Sequence, residues 1–161
     1  MTRTFFKDIF DNHFDAVRNY IYYRSGDLEI ATDIAQETFM KIWEKQIVSE
    51  TGNTKGLLFK IAGDLFISNY RRQKVLQNFK LSLVPKVENQ SPEDSLQFKE
   101  LVSKYEAALI KLSEKQRTVF LMSRIDNMKY HEIANTVGIS VKAVEKRMKY
   151  ALLQLKKDLG Y

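Results

Sequence analysis

The chain has 161 residues, 26 Lys/Arg against 20 Asp/Glu for a net charge of +6, and no cysteine. Without thiols it can hold neither a disulfide nor a thiolate metal site, which fits a reducing compartment. No apolar run approaches the roughly 20 residues that span a bilayer, so the expectation is a soluble protein of the cell interior, without membrane insertion.

Apolar residues recur at intervals of three and four throughout, strand-like alternation and Asn-Gly or Asp-Gly turns are absent, and there are only two prolines and six glycines. This pattern predicts an all-α chain. Helices are expected near residues 3–24, 27–47, 53–77, 92–111, 114–125, 130–137 and 141–158. The first opens in MTRTFFKDIFDNHF, where aromatic residues and charges share helical spacing. That stretch has neither the apolar core nor the small-residue cleavage site of a secretion signal.

The second helix contains DIAQETFMKIWEKQ. At about 100° per residue, Ala31, Ile34, Ala35, Phe39 and Ile42 share one broad apolar face. Met40 falls opposite, beside Asp33, Gln36, Glu37 and Glu44, with Trp43 at the border and expected, like Phe39, to be buried within its own domain. From the residues alone, Met40 is either a stray exposed side chain or the centre of a mixed polar and soft apolar patch. The third helix carries Lys55, Lys60, Arg71, Arg72 and Lys74 interleaved with Phe59, Phe66 and Tyr70. Binding a separated nucleic-acid strand needs such a mixture, cations for the backbone and ring faces for the bases. Phe59 and Phe66 are assigned to the core.

Periodicity fails between residues 79 and 91, where FKLSLVPKVENQS holds Pro85 and a polar run, the mark of a linker. A helix restarts at Ser91-Pro92-Glu93-Asp94, with a capping serine, proline at the first helical position and two acids at the positive end of the dipole. Two small helical domains are therefore expected, residues 1–78 and 92–161, joined by a flexible linker at 79–91. Charge is segregated along them. Residues 1–100 hold fourteen Lys/Arg and fourteen Asp/Glu, and residues 101–161 twelve against six. Within the first part, residues 27–50 carry six acids and two bases, and residues 55–86 seven bases and one acid, Asp64. Two basic surfaces separated by an acidic one suggest nucleic acid as a partner; solvated helix faces account equally well for the charge runs alone.

The second half contains YHEIANTVGISVKAVEKRMKYALLQLKKDL. A helix-turn-helix needs a small residue where its helices touch, a glycine able to turn left-handed, and apolar residues that lock the pair. Ala134 is the small contact and Gly138 the turn glycine; Ile133, Val137, Ile139 and Val144 are the lock. Ser140 caps the second helix, and Val144, Met148, Ala151, Leu152 and Leu155 are expected to face inward. Upstream, Ser113 and Gln116 form a capping box for a supporting helix that turns Val119, Phe120, Met122 and Ile125 inward. The outward residues make a DNA-contact set of Ser140, Val141, Lys142, Glu145, Lys146, Arg147 and Lys149. Entering a major groove N-terminus first, the lysines and Arg147 would reach phosphates or guanines, and Glu145 would accept from a cytosine amino group.

With these motifs in place, the chain resembles, nearly end to end, the extracytoplasmic-function (ECF) sigma factors of the bacterial sigma-70 superfamily. Residues 33–43, DIAQETFMKIW, resemble the family's polymerase-docking helix; residues 55–72, KGLLFKIAGDLFISNYRR, its segment for melting and reading the minus-ten element; residues 109–157 its reader of the minus-thirty-five element. Leu57, Asp64 and Ser68 depart from the tryptophan, asparagine and aspartate usual at those positions. The resemblance implies a transcription initiation factor that binds RNA polymerase core through Asp33, Gln36, Glu37 and Met40. It implies minus-ten contacts from Lys60, Asp64, Tyr70, Arg71, Arg72 and Lys74. It further implies cytoplasmic residence, an anti-sigma partner, a monomer when free, and no catalytic residue, metal or cofactor. A free-standing repressor or activator could use the same helix-turn-helix, and would normally dimerise to read two half-sites. A helical hydrolase finds little support, because His131-Glu132-Ile133-Ala134-Asn135 has asparagine where a zinc-binding motif needs its second histidine.

Overall fold

A computed structural model describes residues 1–47, 49, 52–69 and 91–160. These residues form seven α-helices and no strand. α1 (Arg3–Ser25) begins where the Thr2 hydroxyl accepts from the Phe5 N–H at 3.2 Å, and ends at Gly26, whose φ of 69° lies in the left-handed region that suits glycine. α2 (Leu28–Lys45) follows at once, its first turn capped by the Asp27 carboxylate, which accepts from the Ile30 N–H at 3.0 Å. So short a connection makes the two helices neighbours in a hairpin, and α3 (Thr54–Asn69) packs on both. The expected continuation of α3 to residue 77, and the expected linker up to residue 90, lie outside the described residues.

Aromatic rings join α1 to α2. Phe10 and Phe14 stack with centroids 4.7 Å apart, and both reach Phe39 of α2, at 5.1 and 5.7 Å. Phe39 is 2% exposed. Replacing it with alanine leaves a ring-sized void, for which about 3–5 kcal/mol of lost stability is expected, a large part of the roughly 5–15 kcal/mol that holds a typical domain together. Urea unfolding of Phe39→Ala measures it; a loss below about 1 kcal/mol would mean the surroundings close over the void.

The second half builds the predicted motif. α4 (Pro92–Lys111) is capped by Ser91, whose hydroxyl oxygen accepts from the Asp94 N–H at 3.2 Å, and α5 (Glu114–Arg124) by Ser113 accepting from the Gln116 N–H at 3.2 Å. α6 (Tyr130–Val137) starts with the Glu132 carboxylate accepting from the Lys129 N–H at 2.7 Å, which holds that carboxyl below the usual range. Gly138 carries the left-handed turn at φ 76°, and Ser140 caps α7 (Val141–Leu159) by accepting from the Ala143 N–H at 3.1 Å. Ala134, Ile133, Val144, Met148, Ala151 and Leu155 are buried, as the helix-turn-helix spacing required, and so are Val119, Phe120 and Met122 of α5, while Val137, Ile139 and Ile125 are partly buried against that core.

Two expectations are corrected. Leu152 is 41% exposed instead of facing inward. At about 100° per residue it stands well off the line through Val144, Met148, Ala151 and Leu155, and the described residues leave that flank half open. Trp43, placed at the border of α2, is 40% exposed, held on one side by the Phe6 ring at 5.0 Å. The two halves also touch: α1 packs on α5, and α3 on α6.

Candidate polymerase and nucleic-acid surfaces

α2 is divided sharply by burial. Ala31, Ile34, Ala35, Thr38, Phe39 and Ile42 are all buried. Thr38 fits that face because its hydroxyl donates to the Ile34 carbonyl at 2.7 Å, leaving no unpaired polar group inside. On the other side Asp33 and Gln36 are exposed, and Glu37 is half-buried with its carboxylate 3.4 Å from the Lys41 ammonium. Met40 is 57% exposed among them. An unbranched thioether adapts to irregular contacts. The patch therefore joins carboxylates and an amide, which specify by hydrogen bonding, to an apolar group that gains from being covered.

α3 is held by its buried row: Leu58, Phe59, Ala62, Gly63, Leu65 and Phe66. Phe59 and Phe66 belong to the core, with Phe59 4.9 Å from the Tyr20 ring and Phe66 beneath the Arg24 guanidinium at 4.8 Å. At Gly63 a Cβ would lie 3.2 Å from Arg24 and 3.4 Å from the Tyr20 hydroxyl, so the absence of a side chain lets α1 come close. Lys60, Asp64 and Ser68 are exposed on the opposite side and Leu57 is half-buried. Of the predicted minus-ten set, Lys60 and Asp64 are thus on an open face one turn apart; Tyr70, Arg71, Arg72 and Lys74 lie outside the described residues.

On α7, Lys142, Glu145, Lys146 and Lys149 are exposed, Val141 is 40% exposed, Ser140 caps the helix, and Arg147 is half-buried. Lysines at 142, 146 and 149 follow three- and four-residue spacing and so form one basic row on the outer side. Glu145 and Lys149 border a shallow groove with Tyr130, Met148 and the uncovered Leu152 and Leu153. Arg147 points away from that row. It lines a larger cleft between the two halves, together with Lys60 and Asp64 of α3, Lys115 of α5 and the turn residues Gly138 and Ile139. Members of two separately predicted DNA-contact sets therefore meet in one cleft.

The residues that join the halves carried no prediction. Arg117 of α5 has 0% exposure. Its guanidinium donates to the Tyr23 carbonyl at 2.8 Å, the Arg24 carbonyl at 2.9 Å and the Leu112 carbonyl at 3.1 Å. Burial pushes its pKa down to about 10, with the Glu114 carboxylate acting against that; the group stays cationic near neutral pH. Arg24 donates to the Glu114 carboxylate at 2.7 Å, and the Tyr23 hydroxyl donates to the Asp126 carboxylate at 2.8 Å. Burial raises the Asp126 carboxyl, and the Tyr23 bond opposes the rise. A signal for Arg117 existed in the sequence: a cation three and four residues before Phe120 and Leu121 stands on the apolar stripe of its helix.

Comparison with known proteins settles the class. Residues 9–75 match Sigma-70 region 2, and residues 103–155 match Sigma-70, region 4. The ECF RNA polymerase sigma factor SigW of Bacillus subtilis is 30% identical over 166 residues, covering 96% of this chain and 88% of the relative. The chain belongs to the ECF RNA polymerase sigma factors. It is a transcription initiation factor that binds RNA polymerase core and directs it to specific promoters. RNA polymerase sigma factor YlaC of the same organism is 28% identical, covering 95% of this sigma factor and 91% of that protein. The fold is that of a solved relative, the sigma factor RpoE in complex with the anti-sigma factor NepR from Bartonella quintana. The TM-score is 0.66 at 22% identity, over 96% of each chain. Family members are transcription factors, and none of the described helices is long and apolar enough to cross a membrane.

Proposed function

We propose a division of labour for this sigma factor. Residues 1–78 dock on polymerase and capture the minus-ten element, residues 92–161 read the minus-thirty-five element, and residues 79–91 span the two. Asp33, Gln36, Glu37 and Met40 grip the core enzyme. Lys60, Asp64, Tyr70, Arg71, Arg72 and Lys74 follow the separated strand. Ser140, Val141, Lys142, Glu145, Lys146 and Lys149 enter the duplex groove, and Arg147, on the flank of α7 that faces the cleft, reaches phosphate at its edge. The observation that carries this reading is the 57% exposure of Met40 in a polar patch on a helix whose other face is wholly buried. A soft apolar group left open in such a setting suits a partner surface.

The protein performs no bond chemistry of its own on this reading, works in the cytoplasm and is monomeric when free. The Bartonella relative was solved with an anti-sigma factor, and a partner of that kind would hold this chain inactive as well. Joining two modest binding units raises the effective concentration of the second once the first is engaged, so neither needs high affinity. Run-off transcription with purified core polymerase and a genomic template pool is the test: initiation at defined sites supports the reading, and none at all removes it. DNA binding by the free protein should be weak and should fall steeply with salt, because lysine contacts to phosphate release counterions. Tight sequence-specific binding at physiological salt without polymerase would favour a free-standing regulator.

A further inference from the structure

We propose that Asp64 sets the base preference of the minus-ten segment, and that the base it selects is guanine. The inference rests on the assignment of α3 as the element that follows the separated strand, and adds what that element reads.

Burial defines the reading row. Leu58, Phe59, Ala62, Leu65 and Phe66 turn into the core. Leu57, Lys60, Asp64 and Ile67 follow one another at intervals of three and four, and so share the opposite side of the helix. Lys60 and Asp64 are exposed, Ile67 is 45% exposed and Leu57 is half-buried, and all four line the cleft. Three of them have an evident use against a single strand. A cation attracts phosphate, and apolar side chains lie against base rings. A carboxylate can do neither: the phosphates repel it, and it can only accept hydrogen bonds from the edge of a base. Among the described residues Asp64 takes part in no ion pair, although Lys60 stands four residues before it, at a spacing that allows one. Its two oxygens are therefore open to a ligand.

The strand that α3 follows is unpaired, so the edge of each base that pairing would occupy is free to be read. Guanine alone of the four bases sets two donors side by side on that edge, N1–H and the N2 amino group. They match the two oxygens of a carboxylate in a bidentate pair. Cytosine and adenine each place a ring-nitrogen acceptor next to their amino group, and thymine flanks its N3–H with two carbonyl oxygens. Each of those three would turn a lone pair toward a carboxylate oxygen that has no proton to give. The asparagine usual in the family carries a donor beside its acceptor and escapes this restriction. Leu57 and Ile67 stand on either side of Asp64 along the row. They would shield the pair from water, where a charge-assisted hydrogen bond is strongest.

The test uses core polymerase loaded with the full chain, on a promoter located by run-off transcription, with each non-template base of the minus-ten element varied in turn. At one position guanine should give about tenfold more transcript than any other base, the discrimination typical of one bidentate contact. Asp64→Asn should flatten the preference at that position and leave those at the other positions as they were, which a general loss of folding would not do. Replacing that guanine with deoxyinosine, which keeps N1–H and lacks the amino group, should lower transcription by the unaltered protein severalfold. The Asp64→Ala protein should be indifferent to the same exchange. A minus-ten element without a guanine preference overturns the inference, as does a guanine preference that is identical in the Asp64→Asn protein. A preference for a different base that moves with residue 64 overturns it as well. No transcript from any template would remove the assignment of α3 and this inference with it. Specific initiation that is indifferent to residue 64 would leave the assignment standing and remove Asp64 as the selector.

Discussion

Core polymerase supplied with the Gln36→Ala, Met40→Ala protein should yield little or no specific run-off transcript from templates that the unaltered protein uses. Both side chains are exposed on α2, and Met40 is 57% exposed. Alanine is the strongest helix former, so the substitutions should leave α2 and the aromatic packing of Phe39 intact, and thermal unfolding should be unchanged. An interface anchor typically contributes about 2 kcal/mol or more when it sits at the centre of a covered patch. Losing that amount weakens docking about thirtyfold, since each 1.4 kcal/mol is about a factor of ten. Pull-down of core enzyme by the variant should fail in parallel with transcription. Unchanged initiation with the double variant would take Gln36 and Met40 out of the docking surface.

Replacing Lys142, Lys146 and Lys149 with alanine should separate promoter reading from polymerase binding. These three cations form the exposed basic row of α7, while the helix is held by Val144, Met148, Ala151 and Leu155 on the far side. Each lysine that neutralises a phosphate contributes about 0.9 to the slope of log affinity against log salt. The triple variant should therefore bind upstream promoter duplex more weakly and with a slope shallower by about 3. It should still co-purify with core polymerase, because the α2 patch is untouched. Equal salt slopes for the two proteins would show that α7 does not lie along the backbone in the manner proposed.

Much of the molecule was legible locally. Capping residues place the starts of α1, α2, α4, α5 and α7: Thr2, Asp27, Ser91, Ser113 and Ser140 each accept from a backbone N–H of the first turn. The bond satisfies a donor that the helix cannot, and it depends on residues only three apart. Gly138 is similarly local, since a left-handed φ of 76° strains any residue with a Cβ. The wet side of α2 and the lock of the helix-turn-helix, with Ile133 and Val144 buried and Val137 and Ile139 partly buried against the core, followed from helical periodicity.

The flanks of those faces were less legible. Periodicity tells which residues share a side of a helix, but the width of the covered stripe depends on how far the neighbouring helices extend. Leu152 was misplaced for that reason, and Trp43 is only half covered by the Phe6 ring. Arg117 was the larger omission. Counted along the chain it is one of the twelve bases in residues 101–161, indistinguishable by type from a lysine meant for phosphate. Local chemistry determined seven helices, their starts and their apolar sides, because caps and periodicity act within a few residues. Only the tertiary structure decided that the end of α1 meets α5, that a buried guanidinium joins them, and that α3 and the helix-turn-helix turn share a cleft. Those outcomes follow from which unpaired carbonyls and apolar faces, some ninety residues apart in the chain, can satisfy one another.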